Sequence, residues 1–480
     1  MSRLNEKAGA GSVRGADDIA SAGRATSGKI KITALATGFV MASLDITVVN
    51  VAGATIQARL HTTLTELTWV VDGYVLTFAS LLLLGGGVAN RVGAKTAYMR
   101  GMGVFFVASL ACALAPSGGA LIGARLVQGA GAALFMPSSL ALLVYSFPDR
   151  RERTRMLGLW SAIVAASAGF GPTIGGIVVN ALGWRSVFLL NLPIGLVGML
   201  MTHRHIAPAA GRSTRLAVPG HIVWITALAA LSYALIEGPH LGWYAASVLV
   251  AFAVGVIATG LLVARERRTD NPIMPWALFR DPCFSGANAV GFLFNLALFG
   301  NLFMLGLFFQ HARGASPFRA GLELLPVTFS FPLANVVFSR VSARFTNGTL
   351  LTVFLLVAGV ASISMIGVSP GTPYWVMAVV IGVANVGAGV IAPAMTAALV
   401  DAAGREHANI GGSMLNANRQ LGSLVGVAAV GAVLHVAHDW YQGASASFLL
   451  VGVVYLIGAL CAWRLIAQPG GEKRPSPRFQ

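Results

Sequence analysis

Along this chain, stretches of about twenty residues pass repeatedly with almost no charge, and most are separated by short turns carrying Lys or Arg. A helix needs about 20 apolar residues to cross the hydrocarbon of a bilayer. Only helices and closed barrels satisfy their own backbone there. Reading at that length predicts fourteen spans, at 32–55, 68–89, 96–115, 119–144, 157–180, 184–202, 217–236, 245–264, 285–310, 320–341, 348–368, 374–399, 411–435 and 445–466. The chain is therefore expected to be an all-α, multi-pass membrane protein. Composition agrees: 56% of the 480 residues are hydrophobic and 10% charged, against about 25% charged in a soluble domain.

The net charge of +16 would suggest nucleic acid only if the basic residues gathered on one face or helix. They recur instead in short blocks between apolar runs, which is how topology is written. With the N-terminus placed inside, 27 of the 33 Lys and Arg fall in cytoplasmic tails and loops. Only Arg59, Arg185, Arg313 and Arg319 fall outside, and Arg125 and Arg419 lie within spans. Both termini are thus expected to be cytoplasmic. Cys112, Cys283 and Cys461 are too scattered for a disulfide framework or a metal motif. Residues 1–31 read as a flexible cytoplasmic tail, 32–202 as a six-helix bundle and 203–284 as a linker carrying two extra spans. A second six-helix bundle is expected at 285–466 and a cytoplasmic tail at 467–480.

Charged residues within such spans are costly and usually functional. Asp45 stands in Leu44-Asp45-Ile46-Thr47-Val48-Val49-Asn50-Val51-Ala52. It lies fourteen residues after Lys31, about 21 Å of helix, somewhat past the midplane. A carboxylate in low dielectric is a candidate proton carrier. Arg125 falls in the outer half at a comparable depth and needs acceptors; Asp45 and Asp72 are within plausible reach. Asp72 lies near the outer end of the second span, between Trp69 and Tyr74, which read either as interface anchors or as aromatic walls for a cationic ligand.

Small residues crowd the fifth span in Ser167-Ala168-Gly169-Phe170-Gly171-Pro172-Thr173-Ile174-Gly175-Gly176, where glycines allow close backbone approach and proline permits a kink. Between spans two and three, Gly86-Gly87-Val88-Ala89-Asn90-Arg91-Val92-Gly93-Ala94-Lys95 forms a tight turn whose cations can dock on a helix end. It lacks the Gly-Lys-Ser/Thr tail of a phosphate loop. The second half offers Asn295, Asn301, Glu323, Asn335, Asn385, Asn416, Asn418 and Arg419, most of the asparagines reading as interhelical hydrogen-bond glue. Asp72, Asn50, Trp69, Tyr74, Asn295, Asn416 and Arg419 are the candidates for contact with a transported molecule. No spacing supplies an enzyme's nucleophile and base, a repeated pore element or a nucleotide-binding loop.

Together these motifs resemble the major facilitator superfamily, and within it the fourteen-span drug/proton antiporters. Leu44–Ala52 is similar to that branch's first-helix signature, and Gly86–Lys95 to the superfamily's loop motif. Arg125, Gln128, Gly129 and Gly131 match the fourth-helix motif associated with proton transfer. Gly171-Pro172 with Gly175-Gly176 matches the fifth-helix antiporter motif. Trp184-Arg185, Asn191-Leu192-Pro193-Ile194-Gly195 and Asn416-Ala417-Asn418-Arg419-Gln420-Leu421-Gly422 are also similar to this branch. The loop motif departs from the pattern at Asn90, where an aspartate is usual, and at Ala94, where a basic residue is usual. The first signature reads Ala52-Gly53-Ala54 where it normally ends in proline. The resemblance implies two six-helix bundles rocking around a central cavity, with an inserted pair between them. It also implies an antiporter in the cytoplasmic membrane, driven by the proton gradient without a cofactor, with Asp45 and Arg125 coupling protons. Its partners would be lipid, protons and a small drug or antibiotic; no nucleic acid and a monomeric state are expected. A carrier of an endogenous metabolite is the alternative, disfavoured by the Gly171-Pro172 motif.

Overall fold

The computed structural model describes residues 2–147, 149–208, 211, 218–269, 278–342 and 344–467. Among them every regular element is a helix. The first half contains α1 (Ser2–Leu60), α2 (Leu64–Val92), α3 (Ala94–Leu114), α4 (Gly118–Ser146) and α5 (Arg150–Leu182), then the short α6 (Ser186–Leu189) and α7 (Asn191–His205). The pair α8 (Val218–Leu241) and α9 (Ala246–Glu266) follows. The second half contains α10 (Pro282–His311), α11 (Pro317–Glu323), α12 (Leu325–Val341), α13 (Asn347–Ile363), α14 (Tyr374–Val436) and α15 (Trp440–Leu465).

The helix starts are written in capping residues. Thr63 accepts from the Glu66 amide while Glu66 returns a bond to the Thr63 amide, a capping box that satisfies two orphan donors. Ser117, Asp149, Asp281, Ser316, Thr346 and Asp439 cap α4, α5, α10, α11, α13 and α15. Between α2 and α3 the chain turns on Gly93 at φ 90°, a conformation that excludes most side chains.

Among the described residues, eleven helical segments are long and apolar enough to cross a membrane, against the fourteen expected. The difference lies in three places. The span expected at 320–341 is broken at Leu324 into α11 and α12, the latter with a proline in its first turn. The span expected at 348–368 gives a helix of 17 residues. In α5, a helix of 33 residues, several side chains between 150 and 168 lie outside the described residues, and the described apolar stretch is Gly169–Leu182. Conversely, the spans expected at 374–399 and 411–435 join in α14, interrupted at Gly404 (φ 70°, ψ 169°). The stretch 1–31, expected as a flexible tail, is helical from Ser2 within α1; it holds no proline to stop a helix, and the apolar part begins at Ile30. The tail at 468–480 and parts of the linker at 209–210, 212–217 and 270–277 lie outside the described residues.

Two groups of helices emerge from the packing. In the first, α2 and α3 pack on α4, while α1 packs on α5 and α7; in the second, α10 packs on α14 and α15, and α13 on α14 and α15. Glycines set the closest approaches of the second group: a Cβ at Gly422 would lie 2.1 Å from the Phe292 carbonyl oxygen, and one at Gly426 2.1 Å from that of Leu296. The groups meet through α1 with α10, α5 with α11 and α12, and α2 with α14. The pair α8–α9 reaches both groups, because α8 packs on α2 and on α14. Only 22% of the apolar window of α9 is buried, against 72% for α2, so its remaining surface requires lipid.

Candidate functional site

Glycines draw α4 against its neighbours and so deliver Arg125. A Cβ at Gly129 would come within 2.3 Å of the Tyr74 carbonyl oxygen, and one at Gly131 within 2.7 Å of the Phe105 amide nitrogen. Four residues earlier on both helices, Arg125 Nε donates to the Val70 carbonyl at 2.9 Å. Arg125 Nη1 pairs with Asp45 Oδ2 and donates to Gln128 Oε1 at 2.7 Å. Its guanidinium lies over the Tyr74 ring, 4.4 Å from the centroid, with Phe188 at 5.8 Å.

The second carboxylate oxygen of Asp45 is equally engaged. Oδ1 accepts from Gln128 Nε2 at 2.9 Å and from Asn191 Nδ2 at 2.9 Å. Both amides also donate to Ser109 Oγ, at 2.9 and 3.4 Å. Asp45 and Arg125 are each 1% exposed. Five helices thus contribute to one network: α1 gives Asp45, α2 a carbonyl and Tyr74, α3 Ser109, α4 Arg125 and Gln128, and α7 Asn191. Every contact to Asp45 is a donor, so the geometry is that of a carboxylate. Adding a proton would turn an acceptor into an O–H facing donors and cancel the ion pair, releasing Arg125, Gln128 and Asn191 together.

The other expected residues are placed differently. Tyr74 is fully buried beneath Arg125, so it holds the guanidinium and faces no ligand cavity. Trp69 donates its indole N–H to Glu237 Oε1 at 2.7 Å and lies near Tyr233, so it joins α2 to α8. Asn50 donates to the Ile46 carbonyl at 2.8 Å, leaving its buried Oδ1 without a partner. Asp72 is fully buried, and neither carboxylate oxygen has a partner. Asn295 bonds the Gly291 carbonyl of its own helix. Asn416 and Arg419 are partly buried on α14, and Arg419 Nε is buried without an acceptor. The side chain of Asn335 lies outside the described residues.

The fifth-helix motif divides between two contacts. Gly171 faces Thr47 and Gly175 faces Val48, both on α1, where Cβ atoms would come within 1.8 and 2.7 Å. Gly176 faces α11: a Cβ there would lie 2.6 Å from the Pro317 carbonyl oxygen. The Pro172 carbonyl oxygen lies 2.9 Å from the Cβ position of Gly321. In the loop motif, Lys95 Nζ donates to the carbonyls of His203 and Ile206 at 3.0 and 2.6 Å, capping the C-terminus of α7. Asn90 and Arg91 are exposed, and Gly86 has no atom within 4 Å of its Cβ position. A cavity of about 430 Å³ opens among α1, α5 and α7, lined by Thr37, Val40, Ile163, Pro193 and Val197 among others; it contains none of the expected binding residues. Sequence reasoning missed Ser109, a lone hydroxyl in an apolar span, and Gln310, whose Nε2 reaches the Val51 carbonyl at 2.9 Å across the two groups.

The model of the Major Facilitator Superfamily matches residues 35–427 and 288–480, and the chain belongs to this superfamily, a class of transporters and not of enzymes. The chain is 71% identical over 440 residues to a methylenomycin A resistance protein of Streptomyces coelicolor, covering 92% of this chain and 93% of that one. It is 48% identical over 438 residues to a methylenomycin A resistance protein of Bacillus subtilis, covering 91% and 94%. A crystal structure of the peptide transporter POT in complex with sulfate shares the fold, with a TM-score of 0.68 at 15% identity over 91% of this chain and 94% of that chain.

Proposed function

We propose that the chain is a proton-coupled antiporter that exports a small antibiotic or drug across the cytoplasmic membrane by alternating access. The observation that carries this reading is the buried Asp45–Arg125 network, a titratable acid tied to four other helices. The names of the relatives support the drug class, and the proton gradient supplies the energy without a cofactor. The protein works as a monomer within lipid, with fourteen spans and both termini cytoplasmic. The segments α5, α11 with α12, and α13 supply the other three spans.

In that orientation three close contacts between the two groups lie toward the outer surface. Asn50 with Gly306, Gly176 with Gly321, and Thr68 with Gly431 close that end. With that end closed, an outside proton reaches Asp45 only after these contacts part. Protonation ends the ion pair and frees α4 and α7 from α1. Breaking a buried pair is worth about 3–5 kcal/mol, while one charge moving through 100 mV supplies about 2.3 kcal/mol. The two are of the same order, and twice that drive, about 4.6 kcal/mol, matches the cost of opening the network. The test is exchange of drug for protons in proteoliposomes. Asp45→Asn is expected to abolish exchange while the protein remains folded in the membrane; full exchange by that variant would remove Asp45 from coupling.

A further inference from the structure

Arg125 and Arg419 both lie inside their membrane-crossing helices, more than a turn from either end, and their surroundings are opposite. Arg125 is saturated by a carboxylate, a carbonyl and an amide oxygen. Arg419 has none of these: among the described residues the ion pairs are Arg125–Asp45 and Arg319–Glu323, and Arg419 Nε is buried with no acceptor. Among the described residues, the acids of the second half are engaged elsewhere or exposed. Asp281 and Asp439 cap α10 and α15, Glu323 bonds Arg319, and Asp401 is exposed.

The local packing holds the arginine stem but leaves its head unmatched. Gly291 on α10 gives room for the stem, since a Cβ there would lie 3.5 Å from Arg419 Cγ, with Leu415 and Met395 alongside. The nearby amides are committed to backbone: Asn418 Nδ2 to the Asn288 carbonyl at 2.6 Å, and Asn295 Nδ2 to the Gly291 carbonyl at 2.8 Å. Arg419 as a whole keeps some accessible surface. A guanidinium cannot shed its charge in a protein, and a buried charge without a counter-charge is strongly unfavourable. Its planar fork of donors matches an oxyanion of carboxylate type.

We propose that Arg419 is an anion-binding site of the second bundle and that the exported molecule carries an ionised carboxylate that pairs with its guanidinium. This deepens the export reading above and rests on it. Arg419 lies close to the Met414 end of its span; in the proposed orientation that is the cytoplasmic half, away from the closed outer contacts. A cytoplasmic organic acid would therefore meet this guanidinium while the outer end is closed, with Asp45 and Arg125 remaining locked to each other in the opposite bundle.

The experiment measures the melting temperature of the purified full chain in detergent at constant ionic strength. Sodium benzoate is the probe, and benzamide is its neutral isostere. Benzoate is expected to raise the melting temperature and benzamide to do nothing. Arg419→Gln should weaken the benzoate response at least tenfold, and Arg419→Lys should retain part of it. The Lys variant shows that loss in the Gln variant reflects charge and not a failure to fold. No benzoate response in the unmodified protein, an equal response to benzamide, or an unchanged response in Arg419→Gln would each overturn the proposal. A second arm adds phosphatidylglycerol micelles. If the lipid gives the Arg419-dependent shift and benzoate cannot compete with it, the guanidinium serves a lipid headgroup and the substrate assignment falls. Binding of benzoate needs no proton gradient, so a lost drug/proton exchange beside an intact benzoate response would refute the export reading alone.

Discussion

Gly176 offers a clean way to move the conformational equilibrium without touching a charge. A methyl group there would lie 2.6 Å from the Pro317 carbonyl oxygen and 3.0 Å from Gly321 Cα. Both obstacles are backbone atoms, so no rotamer change relieves them. Ordinary contact begins at 3.4 Å, so α5 and α11 must separate by most of an ångström. Forcing a methylene into a well-packed contact costs about 1–3 kcal/mol. That cost falls only on the state in which the two bundles touch at this end. The helix-propensity gain of Gly→Ala, up to about 1 kcal/mol, stabilises both states alike and cancels. A differential of 1–3 kcal/mol moves a two-state equilibrium by about 5- to 150-fold.

Gly176→Ala is therefore expected to enrich the state opened at this end and to slow transport by disfavouring the return. Spin labels at the exposed Arg59 and Gly371 positions report the separation of the bundles by pulsed dipolar spectroscopy. The labelled protein should gain a longer distance in the Ala variant. Gly86→Ala is the control, because no atom lies within 4 Å of that Cβ position. An unchanged distance distribution in Gly176→Ala, or an equal change in Gly86→Ala, would refute the steric reasoning.

Two further outcomes follow from the buried charges. Arg125→Ala strands Asp45 among neutral donors and should destabilise the fold by about 3–5 kcal/mol; adding Asp45→Asn should recover part of that loss, and strict additivity in denaturation midpoints would show the pair to be uncoupled. Asp72 is buried with both oxygens free of partners, so Asp72→Asn should weaken export of drugs that carry a cationic group, with or without a carboxylate, more than of those that lack one in whole-cell susceptibility assays, whereas equal effects would make it a residue of packing alone.

The membrane class and the charge pair were legible in the sequence because both are extreme. Long apolar spans admit one class of fold, and a base in lipid seeks an acid, although the sequence left Asp45 and Asp72 both open as partners of Arg125. The partners that complete the pair were not legible by type. Ser109 is one hydroxyl in an apolar helix, and a carbonyl such as that of Val70 leaves no mark in a sequence. Trp69 and Tyr74 were read together because they are neighbours on one helix. They differ by five residues, about 140° around the axis, and so meet different helices: α8 for Trp69, Arg125 for Tyr74. Eleven of the fourteen expected spans stand as long apolar helices among the described residues; the break at Leu324 left no mark, since a length rule sees hydropathy and not continuity of hydrogen bonding.

What joins the proton site to the bundle contact is α1 itself. Asp45 and Asn50 are separated by about 7.5 Å along the axis and about 140° around it. One face of the helix holds the acid against Arg125, Gln128 and Asn191. The other brings the Asn50 carbonyl oxygen 2.7 Å from the Cβ position of Gly306 and the Val51 carbonyl to Gln310. Between them Thr47 and Val48 fit against Gly171 and Gly175 of α5, whose next residue, Gly176, makes the second contact between the bundles. A small turn or slide of α1 released by protonation must therefore disturb both contacts. In proteins that couple sites through packed elements, the physical warrant is a two-state element biased from both ends. Here α1 has a titratable group on one face and the closing contact on the other, with no loop between them to absorb the motion.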